Sequence, residues 1–392
     1  MKRIFIIIAA CALGLPALQA QDVDDVLRSV ARHNKSLQAR QQADEAEKTG
    51  IEAENGLEDP GVEYSSFYSK GVSGQSGSEL VVTQGFDFPT VYGSRKQAGR
   101  EQKAAVDHRA EALRRDVLLE AKNLCLDLIR LNQEKDLLDQ RMRNADELLA
   151  LYEEKLKAGD ATLIEVNKIK MERMSVQTEV LQNNAAHRTA LQSLLALNGN
   201  MPLTFDGREY PAVAVTNDYA ALRDELMAND AGIQAAEADT RAAGRALATQ
   251  RRQWLPKIEI GYRRNTGEGG SKEHGFLVGG SIPLFSNRRQ VKIAQAQAVG
   301  AQLEADEARL QAEAALQSGF NELQQLRRAM DVYDLPLMQQ TLDLMKESVK
   351  GGEMPVIDYF TEADQVYRNM QAYMDLENQY QKAAAMLYKN RL

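Results

Sequence analysis

Four histidines, His33, His108, His187 and His274, are the residues best suited to hold a metal or move a proton, and they are scattered. No two stand i, i+4 on a helix and none has a cysteine beside it, so the spacing gives no zinc site. No Gly-x-Ser-x-Gly, Walker-type loop or dinucleotide fingerprint occurs, and the Gly-rich stretches read as hairpin tips. No constellation invites an enzyme, and neither a metal nor a cofactor is expected. A net charge of −8 argues against nucleic acid as a partner. Function must then come from the elements themselves and from what they enclose.

Residues 1–20 read as a secretory signal peptide: Lys2-Arg3, an apolar run from Ile4 to Leu15, then Leu-Gln-Ala before an Asp-rich start. A lipidated start at Cys11 is the alternative, at the cost of a very short apolar region. Past residue 21 no apolar run approaches the roughly 18 residues of a membrane helix, so an exported chain without a transmembrane helix is expected. With Cys11 removed, Cys125 is the only cysteine and no intrachain disulfide can form; its place in an apolar stripe predicts a buried structural thiol.

The dominant element is a proline-free stretch over 94–158. Apolar residues recur every seven positions at Val117, Leu124, Leu131, Leu138, Ala145 and Tyr152, with a second series at Ala121, Leu128, Met142, Leu149 and Leu156. Their offset of three or four is the a/d seam of a coiled coil, broken only at Lys135. Such a helix would be about 98 Å long, too long for one globular domain to wrap, so it must lie along other helices. A return helix over 162–198 follows the turn at Gly159, and a stretch over 201–219 reads as a linker.

The second half repeats this order, which places one structural repeat at 21–200 and another at 220–392. A helical stretch over 220–253 leads to a long helix over 288–350, a turn at Gly351-Gly352-Glu353 and a return helix over 356–389. Landmarks pair at nearly constant separation: Pro60 with Pro256, Pro89 with Pro283, Gly159 with Gly352, and Ile164-Glu165 with Ile357-Asp358. Pro336 falls inside the second long helix and should kink it or open a hydrogen bond.

Each long helix is preceded by two strand-like segments, about 61–69 and 78–88, then 257–264 and 275–282. Alternation sends Val62, Tyr64, Tyr68, Leu80, Val82, Phe86, Phe88, Ile258, Ile260, Tyr262, Phe276, Val278 and Ile282 to one face. The other face collects Glu63, Ser65, Thr83, Asp87, Glu259, Gly261, Arg263, Gly279 and Ser281, with Phe67, Val81 and Leu277 as exceptions. This suits two ordinary hairpins packed on helices, and equally the wall of a membrane barrel, where lipid-facing and lumen-facing residues alternate. Four strands cannot enclose a usable interior, for which about eight are needed, so a barrel would take several chains.

In its duplicated helix–hairpin–helix order the chain resembles the TolC family of outer-membrane efflux proteins. The residues that carry the resemblance are Ser281-Ile282-Pro283-Leu284-Phe285-Ser286-Asn287 leading into a long helix, and the tip segments Tyr152 to Gly159 and Lys350-Gly351-Gly352. The resemblance implies a mainly α fold with a small β part. Duplicated coiled-coil hairpins would form an α-barrel, and two β-hairpins per chain would contribute to a 12-stranded trimeric transmembrane β-barrel. It implies a homotrimer in the outer membrane of a Gram-negative bacterium, extending into the periplasm. Its expected partners are outer-membrane lipid, a periplasmic adaptor protein and an inner-membrane pump of RND or ABC type.

By the same resemblance, Ala158, Gly159 and Asp160, with Gly351, Gly352 and Glu353, would be adaptor-docking tips. Glu165 and Asp358 would stand at the periplasmic aperture, although charges near a helix N-terminus are common on a solvated face. Glu63, Asp87, Glu259 and Arg263 would face the barrel lumen. Where family members close the tip with tyrosine and arginine, Val349 and Met354 stand here. Met330, Met338, Met345 and Met354 could suggest a copper path, but methionine at helical spacing is more often core filling. The implied function is a passive conduit of a tripartite efflux or type I secretion system, its cargo unreadable. A soluble periplasmic coiled-coil or adaptor protein is the alternative, which explains neither the duplication nor the polar strand face.

Overall fold

The computed structural model describes residues 22–71, 73–216, 218–267, 271–282 and 287–392. The expected signal peptide, Cys11 and Pro283 to Ser286 lie outside the described residues. Among these described residues, nine α-helices and four strands follow in the order α1 Val23–His33, α2 Lys35–Ala53, β1 Gly61–Phe67, β2 Gly77–Phe86, α3 Pro89–Ala158, α4 Leu163–Leu197, α5 Tyr219–Ala228, α6 Ala231–Arg252, β3 Lys257–Thr266, β4 Lys272–Ser281, α7 Asn287–Met330, α8 Leu335–Gly351 and α9 Val356–Leu387. Among the described residues no helix is long and apolar enough to cross a membrane.

Two expected helices are divided, and the N-terminal helical stretch is as well. That stretch, α1 and α2, breaks at Asn34, whose side chain donates to the Leu197 carbonyl at 2.9 Å. The 220–253 stretch breaks at Asn229-Asp230, where Asp230 caps a new helix by accepting from the Ile233 amide. The largest correction concerns 288–350, which is not one helix: α7 ends at Met330 and α8 begins at Leu335. Pro336 occupies the first turn of α8, where a missing N–H costs nothing, and the Asp334 carboxylate accepts from the Leu337 amide at 3.0 Å. Proline therefore starts a helix here instead of kinking one. At the other end of the prediction, α3 begins five residues earlier than expected, with Pro89 as its first residue.

The chain divides into two compact units. One takes the chain up to Asn34, Glu120–Val213 and Gln325–Ala385; the other takes Lys35–Leu119, Ala214–Gln324 and Met386–Leu392. The first unit is a bundle of coiled-coil pairs. Leu137, Leu148 and Tyr152 of α3, Val166 and Ile169 of α4, Leu342 and Val349 of α8, and Val356, Tyr359, Phe360, Ala363, Tyr367 and Met370 of α9 form one buried cluster. Met338, Met345 and Met354 pack against it, as filler for gaps between larger side chains. Segment 201–213 is irregular and strapped to this unit: Asn132 donates to the Gly207 carbonyl at 2.9 Å, and Leu203 and Phe205 are buried.

The second unit joins helices to a sheet. Its helices meet through small residues, Ala98, Ala105, Ala235, Ala238, Ala242, Ala294 and Ala305. That lets backbones approach closely enough for the Thr240 hydroxyl of α6 to donate to the Ala301 carbonyl of α7 at 2.9 Å. The four strands form one antiparallel sheet in the order β1-β2-β3-β4.

Candidate functional site

Register decides what the sheet can do. Val62 faces Val82, Val82 faces Tyr262, Ile260 faces Val278, and Tyr262 faces Phe276. These cross-strand neighbours build one continuous apolar face, with the Tyr262 and Phe276 rings edge-on at 6.1 Å. The face is uncovered: Phe276 is 88% exposed, Val278 79% and Val62 68%. A large exposed apolar patch marks an interaction site, for protein or for lipid.

The opposite face pairs Glu63 with Val81, Thr83 with Gly261, Gly85 with Glu259 and Val81 with Arg263. On it the Arg263 guanidinium meets Glu79 at 2.9 Å. Glu63, Glu259 and Arg263 thus share the polar face. Asp87 sits one position past β2, and its carboxylate is only 12% exposed, tied to Arg95 at 2.8 Å and Lys257 at 3.6 Å. Glu58 also pairs with Lys257, so Asp87 belongs to a charge cluster at the base of the sheet.

Two glycines make the reversals from α3 into α4 and from α8 into α9. Gly159 has φ +84° and Gly352 φ +79°, a left-handed conformation that glycine adopts without the Cβ penalty. After α3 the Asp160 amide donates to the Lys155 carbonyl at 2.8 Å, and after α8 the Glu353 amide donates to the Ser348 carbonyl at 2.9 Å. The two turns are therefore built alike, with Ala158, Gly159, Asp160, Gly351, Gly352 and Glu353 all exposed. Ile164, beside the first turn, is 72% exposed.

Glu165 and Asp358 both lie in the first turns of their helices, α4 and α9. Glu165 closes a capping box: it accepts from the Thr162 amide at 2.7 Å and the Thr162 hydroxyl at 2.8 Å, while its own amide donates back to that hydroxyl at 3.2 Å. Those two bonds, the backbone one foremost, hold its carboxyl below the ordinary range. Val349 is fully buried and Met354 packs beside it, so both positions serve the core.

One cluster escaped sequence reading. Arg141 of α3, buried between helices, donates to Glu172 at 2.6 and 2.9 Å, to Glu179 at 3.2 and 3.3 Å, and to Asp364 at 3.3 Å. Burial opposes its charge, but Glu172, Glu179 and Asp364 outweigh that and raise its pKa. The available signal was the pair Glu172 and Glu179, seven apart on one face of α4. Nothing in the sequence names their partner on another helix. Cys125 is a free, buried thiol pushed up to about 12 by burial. Among the described residues no group of three or more His, Cys, Asp or Glu side chains is arranged to hold a metal ion.

Residues 222–390 match the family model Outer membrane efflux protein. Among solved structures, the chain is similar to a membrane protein from Pseudomonas aeruginosa, with 18% identity and a TM-score of 0.77 over 94% of this chain and 93% of that one. It is similar to the outer membrane protein VceC from Vibrio cholerae, with 19% identity and a TM-score of 0.73 over 93% and 95% of the two chains. The Campylobacter jejuni CmeC outer membrane channel follows at 16% identity and a TM-score of 0.75, over 94% and 85%. Comparison with curated proteins by sequence gives no match. The family model thus covers the C-terminal part of the chain, residues 222–390, and the solved outer-membrane proteins share the fold over more than nine tenths of its length.

Proposed function

We propose that this chain is the outer-membrane channel of a tripartite efflux system, a passive conduit formed by three copies. The observation that carries the proposal is the four-stranded sheet. One face is apolar and uncovered, the other polar, and β1 and β4 each lack a second neighbour among the described residues. A lone sheet of this kind is an aggregation hazard in water. Three copies placed edge to edge give twelve strands, enough to close a barrel with lipid outside and a wet lumen within. The open edges are antiparallel to each other, as closure between copies requires.

Glu63, Glu259 and Arg263 would then line the lumen, while Asp87 anchors the base of the barrel. The exposed turns at Gly159 and Gly352 are proposed as the docking points for a periplasmic adaptor, with an inner-membrane pump beyond it supplying energy. Glu165 and Asp358 are proposed as the acidic residues of the periplasmic aperture. A soluble adaptor reading leaves the apolar sheet face without an occupant.

Native mass spectrometry of the protein after detergent extraction of outer membranes tests the central claim. A trimer in that fraction is expected. A monomer or dimer in the soluble periplasmic fraction would sink it and return the sheet to ordinary packing.

A further inference from the structure

No Asp or Glu occurs between Asp239 and Glu259, nor between Glu273 and Glu304, in a chain whose net charge is −8. Helix α6 runs into β3 and α7 runs out of β4, so both acid-free stretches meet at the base of the sheet. Arg251 and Arg252 close α6, while Arg288, Arg289 and Lys292 open α7. All five are exposed, and none has an acidic partner among the described residues. At the matching place in the first half, cations are matched by acids: Arg95 holds Asp87, Lys103 holds Glu52 and Arg109 holds Glu47. Arg288 and Arg289 also stand in the first turn of their helix, where the dipole disfavours a cation. An anion bound between the two helix ends would relieve both imbalances.

Placement narrows the kind of anion. Helix α6 is flanked on both sides within its own chain: Thr249 donates to the Ser94 hydroxyl of α3 at 3.0 Å, and Thr240 to the Ala301 carbonyl of α7 at 2.9 Å. No flank of α6 is left for another copy. Ala246, Thr249, Gln250 and Gln253 line a cavity together with Asp87 and Lys257. Lys257 pairs with Ser281 on the polar face of the sheet, so helical spacing turns Arg251 and Leu255 toward the side of the apolar face. Trp254, the only tryptophan of the chain, is 61% exposed beside them, and Ile258 and Ile282 lead onto that face. Basic, then aromatic, then aliphatic is the order met on passing from water through headgroups into hydrocarbon.

We propose that Arg251, Arg252 and Trp254, with Arg288 and Arg289, bind the phosphate of an anionic phospholipid headgroup at the rim of the sheet. Free phosphate would use the arginines and leave the indole and the apolar strand ends idle. The inference rests on the barrel reading above, which puts lipid against that face.

Trp254 reports its own surroundings, since no other tryptophan contributes to the fluorescence. The full-length protein is reconstituted in mixed vesicles of phosphatidylcholine and phosphatidylglycerol, with bromine on the chains of one lipid or the other. Brominated phosphatidylglycerol should quench Trp254 as strongly at about a fifth of the mole fraction needed of brominated phosphatidylcholine, the worth of a basic residue near an anionic surface. Arg251→Gln with Arg252→Gln should bring the two lipids to equal potency, and lysine at both positions should restore the preference. Equal potency in the native protein, or an unchanged preference in the glutamine variant, would overturn the site. Loss of the preference to millimolar inorganic phosphate at constant ionic strength would overturn the lipid as its occupant. Loss of the trimer from the glutamine variant in native mass spectrometry would give the arginines to a second copy instead. A native protein that conducts in bilayers yet shows no lipid preference would remove this site alone, whereas one that never enters vesicles would remove the barrel reading with it.

Discussion

At the scale of single residues, Glu165 has two roles open to it and they are separable. Its carboxylate is turned onto the first turn of its own helix, so Glu165→Ala should weaken that turn by about 1 kcal/mol, as loss of a cap does. Because the folded carboxyl is held below its ordinary pKa, the contribution is full at neutral pH and fades as the pH falls through that lowered value. Amide exchange at 163–166, faster in Glu165→Ala at pH 7 and converging with the native protein in acid, checks it. Aperture action reads out elsewhere: replacing both Glu165 and Asp358 by alanine should raise leak conductance in planar bilayers. Unchanged conductance with faster exchange would leave Glu165 a cap alone. The sequence carries Thr162 and Glu165 at capping-box spacing, a local signal that reading Glu165 for its charge alone passed over. It could not offer Arg141, whose three carboxylates come from two other helices and whose own position is one step off the seam residue Met142.

At the scale of elements, long periodic helices were the most legible part of the chain and their interruptions the least. Apolar residues recur every seven positions at Leu316, Leu323, Met330, Leu337 and Leu344, yet the helix stops at Met330, because a stripe of apolar residues shows which face is buried and not whether each backbone bond is made. Asp334 followed by Pro336 is an N-terminal signal, but the surrounding heptads mask it. The turns read more directly, since glycine at a helix end has a conformational cause. A Cβ added at Gly159 or Gly352 would meet nothing within 4 Å, so the cost of substitution there is backbone strain alone. Gly159→Ala should therefore cost about 1–2 kcal/mol locally and leave the trimer intact. Gly159→Val adds β-branched bulk to an exposed tip and should impair adaptor capture in a pull-down while still assembling. Loss of the trimer in Gly159→Val would refute the docking assignment for that turn.

At the scale of the whole molecule, the sheet is the element on which the channel proposal turns, with β1 and β4 at its edges. Alternation in the sequence separated its two faces correctly, because a strand's period of two needs no knowledge of partners. What it left open was the environment of each face, since the same pattern serves a soluble hairpin and a barrel wall. The register sharpens that choice to adjacent residues on β4. Val278 lies on the apolar face opposite Ile260, and Leu277 on the polar face opposite Gly261, with Glu259 close by. Arginine at a lipid-facing midplane position costs about 2–4 kcal/mol, and in a lumen almost nothing. Val278→Arg should therefore cut recovery of trimer from the outer membrane severely, while Leu277→Arg, one residue away and able to reach Glu259, should leave it near the native level. Were the sheet an ordinary water-facing one, arginine would be the more welcome at Val278, which is 79% exposed in the single chain. Equal recovery of the two variants, or greater loss from Leu277→Arg, would place water where the barrel requires lipid.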